Sequence, residues 1–176
     1  ALDYDLSRRR HFPAINWTQS YSLYDFNNWY AGQVSSTLPD MIRETRALLS
    51  SEAELVQIVQ LIGQDALSEN EREVLLVARM LREDLLQQSA LDEIDRYCSL
   101  DKAYWMLSVI LAFHARARGA LQAGIRTAEL AKLPVVNEIG RMKEIPVNQA
   151  VGRLQQLERK VQDAFDAAGA DGGAAR

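Results

Sequence analysis

After Trp17 the chain shows almost no strand-period alternation; its apolar residues return at helical spacing, run after run, and each run has a start or stop signal. From Pro39, a proline suited to a first helical turn, Ile42, Leu48, Leu49, Leu55, Ile58, Val59 and Ile62 lead up to Gly63, a C-terminal stop. Ser68 and Glu71 have the spacing of a capping box ahead of an apolar face at Val74, Leu75, Ala78, Leu81 and Leu85. Ser99 or Asp101 opens a third run, with Tyr104, Leu107, Ile110, Leu111 and His114 on one side until Gly119 and Gly124. Thr127 is expected to cap a short helix broken at Leu133-Pro134, and a second short one runs to about Met142. From Pro146 a last helix carries Val147, Ala150, Leu154, Leu157, Val161 and Phe165. The expected fold is all-α, a bundle of about five to seven helices in two layers. The loop 63–67 is expected to make a tight hairpin between the longest two helices.

Leu2 to Arg10 reads as a short helix and Phe12 to Trp17 as extended chain leading into a new unit. The expected organisation is therefore an end piece at 1–20, a helical domain at 21–167 and a loose tail at 168–176, where Gly172 and Gly173 lie. A length of 176 residues suits one domain plus a fragment, and 48% apolar with 25% charged residues suits an ordinary globular chain. The net charge of −4 argues against non-specific nucleic-acid binding, and the arginine triplet at 8, 9 and 10 reads as a solvated helix face. The longest apolar stretch, Met106 to Phe113, is far short of the roughly 20 residues that cross a bilayer. The chain opens with neither methionine nor a secretory leader, which suggests an excised piece of a longer protein. The lone Cys98 cannot form an intrachain disulfide, consistent with a reducing compartment.

Catalytic motifs are lacking. Gly119 and Gly124 have the glycine gap of a phosphate loop, but Ile125-Arg126-Thr127 follows in place of the lysine and hydroxyl that engage phosphates and Mg²⁺. His11, His114 and Cys98 have no metal-ligand spacing, and no nucleophile elbow marks a serine. The chain by itself is expected to hydrolyse nothing, with no catalytic residue and no metal site.

Arg9-Arg10-His11-Phe12-Pro13-Ala14-Ile15-Asn16-Trp17, followed by Ser20-Tyr21-Ser22, sets an aromatic ring beside a proline, where φ is locked and the preceding residue is pushed to extended geometry. Such a ring suits a stacking platform; taken alone, Phe12 also reads as a core side chain at a domain edge. This run resembles the end of the nucleotide-binding domain in catalytic A subunits of V-type and archaeal A-type rotary ATPases. The resemblance implies a ring, Phe12, lying against the adenine of a bound nucleotide, and a start of the chain left over from an α/β nucleotide-binding domain. The corresponding run in F-type β subunits is Tyr-Pro-Ala-Val-Asp, so the residues favour the A subunit over a β or a non-catalytic B subunit.

Two further segments carry the same resemblance. Ile62-Gly63-Gln64-Asp65-Ala66-Leu67-Ser68-Glu69-Asn70-Glu71 is similar to the acidic loop Asp-Glu-Leu-Ser-Glu-Glu-Asp with which F-type β subunits touch the central shaft. Asp65, Leu67, Ser68 and Glu69 match; Ala66, Asn70 and Glu71 replace Glu, Glu and Asp. The resemblance implies that 65–71 contacts the central stalk, while the residues alone imply only a capped helix, with Asp65 and Glu69 near a helix N-terminus that favours negative charge. Leu85-Leu86-Gln87-Gln88-Ser89-Ala90-Leu91-Asp92 resembles the A-subunit segment Phe-Leu-Gln-Gln-Asn-Ala-Phe-Asp, which the family sets against the adenine opposite the Phe-Pro ring. Gln88, Ser89, Ala90 and Leu91 are thereby implied in the pocket, although without the family Gln87 to Ala90 is an ordinary helix end. Leu91 in place of Phe makes one wall aliphatic and weakens base stacking by up to about tenfold.

The resemblance covers about Ala1 to Phe165 and implies the C-terminal part of a catalytic A subunit, coupling ATP synthesis or hydrolysis to ion translocation. It implies ATP or ADP with Mg²⁺ in the full-length subunit, with none bound by this piece alone. The implied partners are non-catalytic B subunits and central-stalk subunits, in a cytoplasmic assembly peripheral to the membrane. A free-standing helical adaptor, binding proteins through its acidic hairpin, is the alternative from a different class.

Overall fold

A computed structural model describes the backbone of residues 1–173 and the side chains of residues 1–168. Among the described residues it holds eight α-helices and no strand: α1 Tyr4–Arg8, α2 Asn27–Gln33, α3 Leu38–Ile62, α4 Glu69–Met80, α5 Leu100–Gln122, α6 Thr127–Leu130, α7 Pro134–Gly140 and α8 Val147–Gly173. A 3₁₀ turn at Gln64–Ala66, a π-helical segment at Leu81–Leu86 and a second 3₁₀ turn at Met142–Glu144 join them. The fold class is the expected all-α bundle. The tail expected at 168–176 overlaps the end of α8, and its last three residues, 174–176, lie outside the described residues.

The most extensive helix pair is α5 with α8. Met106, Val109, Ile110, Phe113 and Ala117 on α5 join Ala150, Leu154, Leu157, Val161 and Phe165 on α8 in one buried apolar cluster. Phe113 and Phe165 meet edge to face, with ring centroids 5.2 Å apart, the arrangement that the ring quadrupoles favour. Each fully buried side chain of this size contributes about 1.5–3 kcal/mol, so this pair is the stable base of the molecule. Ser108 Oγ donates to Glu158 Oε1 at 2.7 Å along the edge of the same pair.

The hairpin forms at the expected place, but the helices it joins are not the two longest. It links α3, of 25 residues, to α4, of 12 residues, while the longest helix, α8, packs elsewhere. Gly63 ends α3 with φ 86° and ψ 165°, a conformation almost reserved for glycine, and its N–H donates to the Val59 carbonyl at 2.9 Å. Ser68 then caps α4 in a full capping box: its N–H donates to Glu71 Oε2 at 2.7 Å and its Oγ accepts from Glu71 N at 3.4 Å. The buried face of α4 is Glu73, Val77, Ala78 and Met80, continued by Leu81, whereas the expected Val74 and Leu75 are only partly buried.

Three local expectations are corrected. Thr127 is the first residue of α6, not its cap; Arg126 holds the cap position without a side-chain bond. The Thr127 N–H donates instead to Glu69 Oε2 at 2.6 Å and its Oγ1 to the Glu69 carbonyl at 2.9 Å, joining α6 to the start of α4. Helix α2 was not expected, because none of its residues is buried and Phe26 at its cap makes no side-chain bond, leaving neither periodicity nor punctuation to read. The arginine triplet is not one helix face: α1 ends at Arg8, and Arg10 turns away with φ 57°.

Candidate functional site

The first twenty residues fold back on themselves. Asp3 N donates to the Ala14 carbonyl at 2.9 Å, Asn16 N to the Ala1 carbonyl at 2.8 Å, and Leu2 faces Ile15 in an isolated antiparallel bridge. Asp3 caps α1 by accepting from Leu6 N, its other oxygen accepts from Asn16 Nδ2, and these bonds hold its carboxyl below the ordinary value. The Phe12–Pro13 peptide bond is cis. His11 is buried beside Trp17, with its two ring nitrogens 3.2 Å from the Pro13 carbonyl and 3.1 Å from the Arg82 carbonyl.

This hook meets the distant Gln-Gln turn. Gln88 N donates to the Phe12 carbonyl at 2.6 Å, so the two segments singled out in the sequence lie side by side. Between them is a cavity of about 260 Å³ lined by Phe12, Gln88, Ser89, Ala90 and Leu91, together with Arg10, Gln87 and Lys143. The Phe12 ring is half-exposed, at 48%, rather than buried as a core side chain. Leu91 is also among the lining residues but is 97% exposed, so it forms no packed wall.

The turn is held from behind. Ser89 N donates to Asp95 Oδ2 at 2.6 Å, and Gln88 Nε2 donates to the Asp95 carbonyl at 3.0 Å. Asp92 Oδ1 accepts from Asp95 N and from Ile94 N, each at 2.8 Å, which lowers its carboxyl below the ordinary value, the Asp95 bond having the larger effect. Lys143 also lines the cavity; its Nζ donates to the Glu83 carbonyl at 3.1 Å and its own carbonyl accepts from Lys102 Nζ at 2.8 Å. Lys102 is fully buried, and desolvation pulls its pKa down. Sequence reasoning missed Arg10 and Lys143 because each reads as an ordinary exposed cation; only the fold brings them to one cavity.

The hairpin residues divide into two groups. Leu67 is buried; Glu69 binds Thr127; Glu71 belongs to the capping box; and Arg72 donates to the Leu67 and Asp65 carbonyls, closing the loop. Asp65, Ala66, Ser68 and Asn70 stay exposed, next to Leu61 and Ile62 at the end of α3. The carboxyls of Glu69 and Glu71 both lie below their ordinary value, chiefly through the Thr127 backbone N–H for Glu69 and the Ser68 hydroxyl for Glu71.

Among the described residues no group of three or more His, Cys, Asp or Glu side chains is gathered as metal ligands, and no helix is long and apolar enough to cross a membrane. Residues 27–130 match the family described as the C-terminal domain of V and A type ATP synthase. The A subunit of the A-type ATP synthase of Methanopyrus kandleri is 46% identical over 168 residues, covering 94% of this chain and 28% of that protein. Proteins of the same name from Thermococcus onnurineus and Pyrococcus abyssi are 50% identical over 156 residues and 48% identical over 168 residues. These two alignments cover 88% and 94% of this chain, and 27% and 16% of the respective proteins. The chain thus spans less than a third of the length of the curated relatives it matches. The family match covers more than half of the chain, so the chain belongs to the C-terminal domains of V- and A-type ATP synthases, and the relatives it resembles are A subunits.

Proposed function

We propose that this domain supplies the adenine side of the nucleotide site in the A subunit of a rotary ATP synthase, passing the state of that site to the central stalk through the α3–α4 hairpin. One observation carries the reading. The Gln88 N–H bonded to the Phe12 carbonyl at 2.6 Å brings a half-exposed ring and a polar turn, far apart in sequence, to the rim of one cavity. A ring of that exposure offers a face for a base, while Gln88, Ser89 and Ala90 edge the opposite side with polar backbone. Arg10 and Lys143 add positive charge to the lining of the cavity.

Phosphates, Mg²⁺ and the reacting water are then handled by parts of the subunit outside this chain, and this domain alone is inactive. The subunit works in the full complex with B subunits and stalk subunits, at the cytoplasmic face of the membrane, coupling ATP turnover to ion movement. The exposed part of the hairpin, Asp65, Ala66, Ser68 and Asn70 with Leu61 and Ile62, is the stalk-facing surface; Leu67, Glu69 and Glu71 shape it from within. A free-standing adaptor is disfavoured because the relatives carry the matched segment within a much longer chain.

The test is Phe12→Ala in the full-length subunit, with ADP affinity measured by calorimetric titration. Stacking of a base on an aromatic side chain contributes about 1–3 kcal/mol, so ADP binding should weaken by about fivefold to about 150-fold. Unchanged affinity removes Phe12 from the pocket.

A further inference from the structure

Contacts to α3 and to the N-terminal hook converge on Arg82, in the π-helical segment, beside the bond that closes its own turn. Its guanidinium pairs with Glu52, midway along α3 and buried, and also with Glu83 at 3.0 Å. Its carbonyl accepts from Gln87 N at 2.9 Å, the bond that closes the π turn and launches the 88–91 bend. The same carbonyl lies 3.1 Å from His11 Nε2, next in sequence to Phe12. Both walls of the cavity and the middle of the hairpin arm are therefore fastened to one residue.

A π turn differs from an α-helical one in the register of its closing hydrogen bond. In an α-helical register Gln87 N would bond the Glu83 carbonyl; here that carbonyl instead accepts from Lys143 Nζ at 3.1 Å, and Gln87 N reaches one residue further back. An exchange between these registers moves the 88–91 turn against the helix that carries Arg82, and the Glu52 pair passes that movement to α3. A segment with two discrete arrangements, each biased by a different contact, is the physical requirement for coupling between sites.

We propose that Arg82 is a positioning residue, the joint through which occupancy of the Phe12–Gln88 cavity is transmitted to the α3 arm by way of Glu52. The inference rests on the nucleotide reading given above. It is tested in the assembled ATP synthase, reconstituted in lipid vesicles, with Arg82→Met, Arg82→Lys and Glu52→Ala in the A subunit. Ion uptake per ATP hydrolysed should fall in Arg82→Met and in Glu52→Ala, because ATP is then turned over without the movement of α3 that the joint transmits. ADP affinity should stay within about twofold of wild type, as expected for a residue that does not touch the ligand. Arg82→Lys should recover part of the loss, and the double variant should be no worse than either single one, because both remove the same link.

Normal uptake per ATP in the variants overturns the joint, and so does a lower yield of complexes that couple normally, the mark of a merely structural role. A loss of ADP affinity equal to the loss of coupling also overturns it, placing Arg82 in the binding site. Should Arg82→Met fail to assemble, Glu52→Ala decides alone. The two readings fail separately. Unchanged ADP affinity in Phe12→Ala sinks the nucleotide site, whereas a normal Phe12→Ala effect with unaltered coupling in Glu52→Ala sinks only the joint.

Discussion

The carboxylate of Glu73 is 1% exposed, and its Oε1 lies 2.7 Å from Nδ1 of the buried His114, whose Nε2 is 3.9 Å from Glu44. The Glu73 carboxyl in that position depends on its partner, because removing one member of a buried hydrogen-bonded pair leaves the other unsatisfied at a cost of about 1–3 kcal/mol. His114→Ala should therefore lower the urea midpoint of this chain by that equivalent, whereas Arg43→Ala, which removes an exposed pair with Asp40, should change stability by less than about 1 kcal/mol. Comparable losses in the two variants would show that the buried pair has no special role. Half of this pair was legible in the sequence. His114 falls on the apolar side of α5 by helical spacing, but Glu73 belongs to a run rich in Glu and Arg, and its partner lies 41 positions away, beyond the reach of any periodicity.

At the scale of single elements, what could be read was what is built from neighbours. The capping box of α4 needs only Ser68 and Glu71, and Gly63 ends α3 through its own backbone, so both appear in the sequence as they stand in the structure. The π segment was not legible, because the Arg82 carbonyl that closes it is also approached by His11 and the neighbouring Glu83 carbonyl is taken by Lys143, both far along the chain. Glu69 shows the same division: its place in the first turn of α4 is local, while its bond to Thr127 is made by the fold. That bond has a pH signature. The Glu69 carboxyl is lowered from its ordinary 4.5, first by the Thr127 N–H, so the stabilisation is complete above that unfolded value and is lost as the pH falls through the folded one. The difference in urea midpoint between wild type and Glu69→Gln should be full near about pH 7 and should shrink once the pH drops below about 4.5. A difference that does not vary with pH would mean that the ionised carboxylate contributes nothing to joining α4 and α6.

Across the whole molecule, burial is unevenly spread, and the candidate function lies along that gradient. The α5–α8 pair carries twelve members of the core cluster, the ten named above with Leu107 and Leu111, and anchors α7 through Val135 and Ile139. Along α3 the buried positions are Leu38, Leu48, Leu49, Glu52 and Leu55; beyond Leu55 the helix shows Val56, Ile58, Leu61 and Ile62 to solvent. The last two turns of α3 and the 64–66 turn are thus held by backbone bonds and by Arg72, while the segment up to Leu55 is held by side-chain burial. On the reading proposed above, an arm whose tip is lightly held beyond Leu55 and which Arg82 contacts at Glu52 can tilt about that contact while the α5–α8 base stays in place. Local opening of such a tip involves few buried apolar groups, so its amides should exchange with solvent through small fluctuations, while those of the α5–α8 base exchange only through near-global unfolding. In hydrogen exchange followed by mass spectrometry, peptides covering 56–66 should exchange at least about a hundredfold faster than peptides covering 106–117, a gap of roughly 2.7 kcal/mol. Equal protection in the two regions would mean that hairpin and base open as one unit, leaving no separate lever to carry a signal.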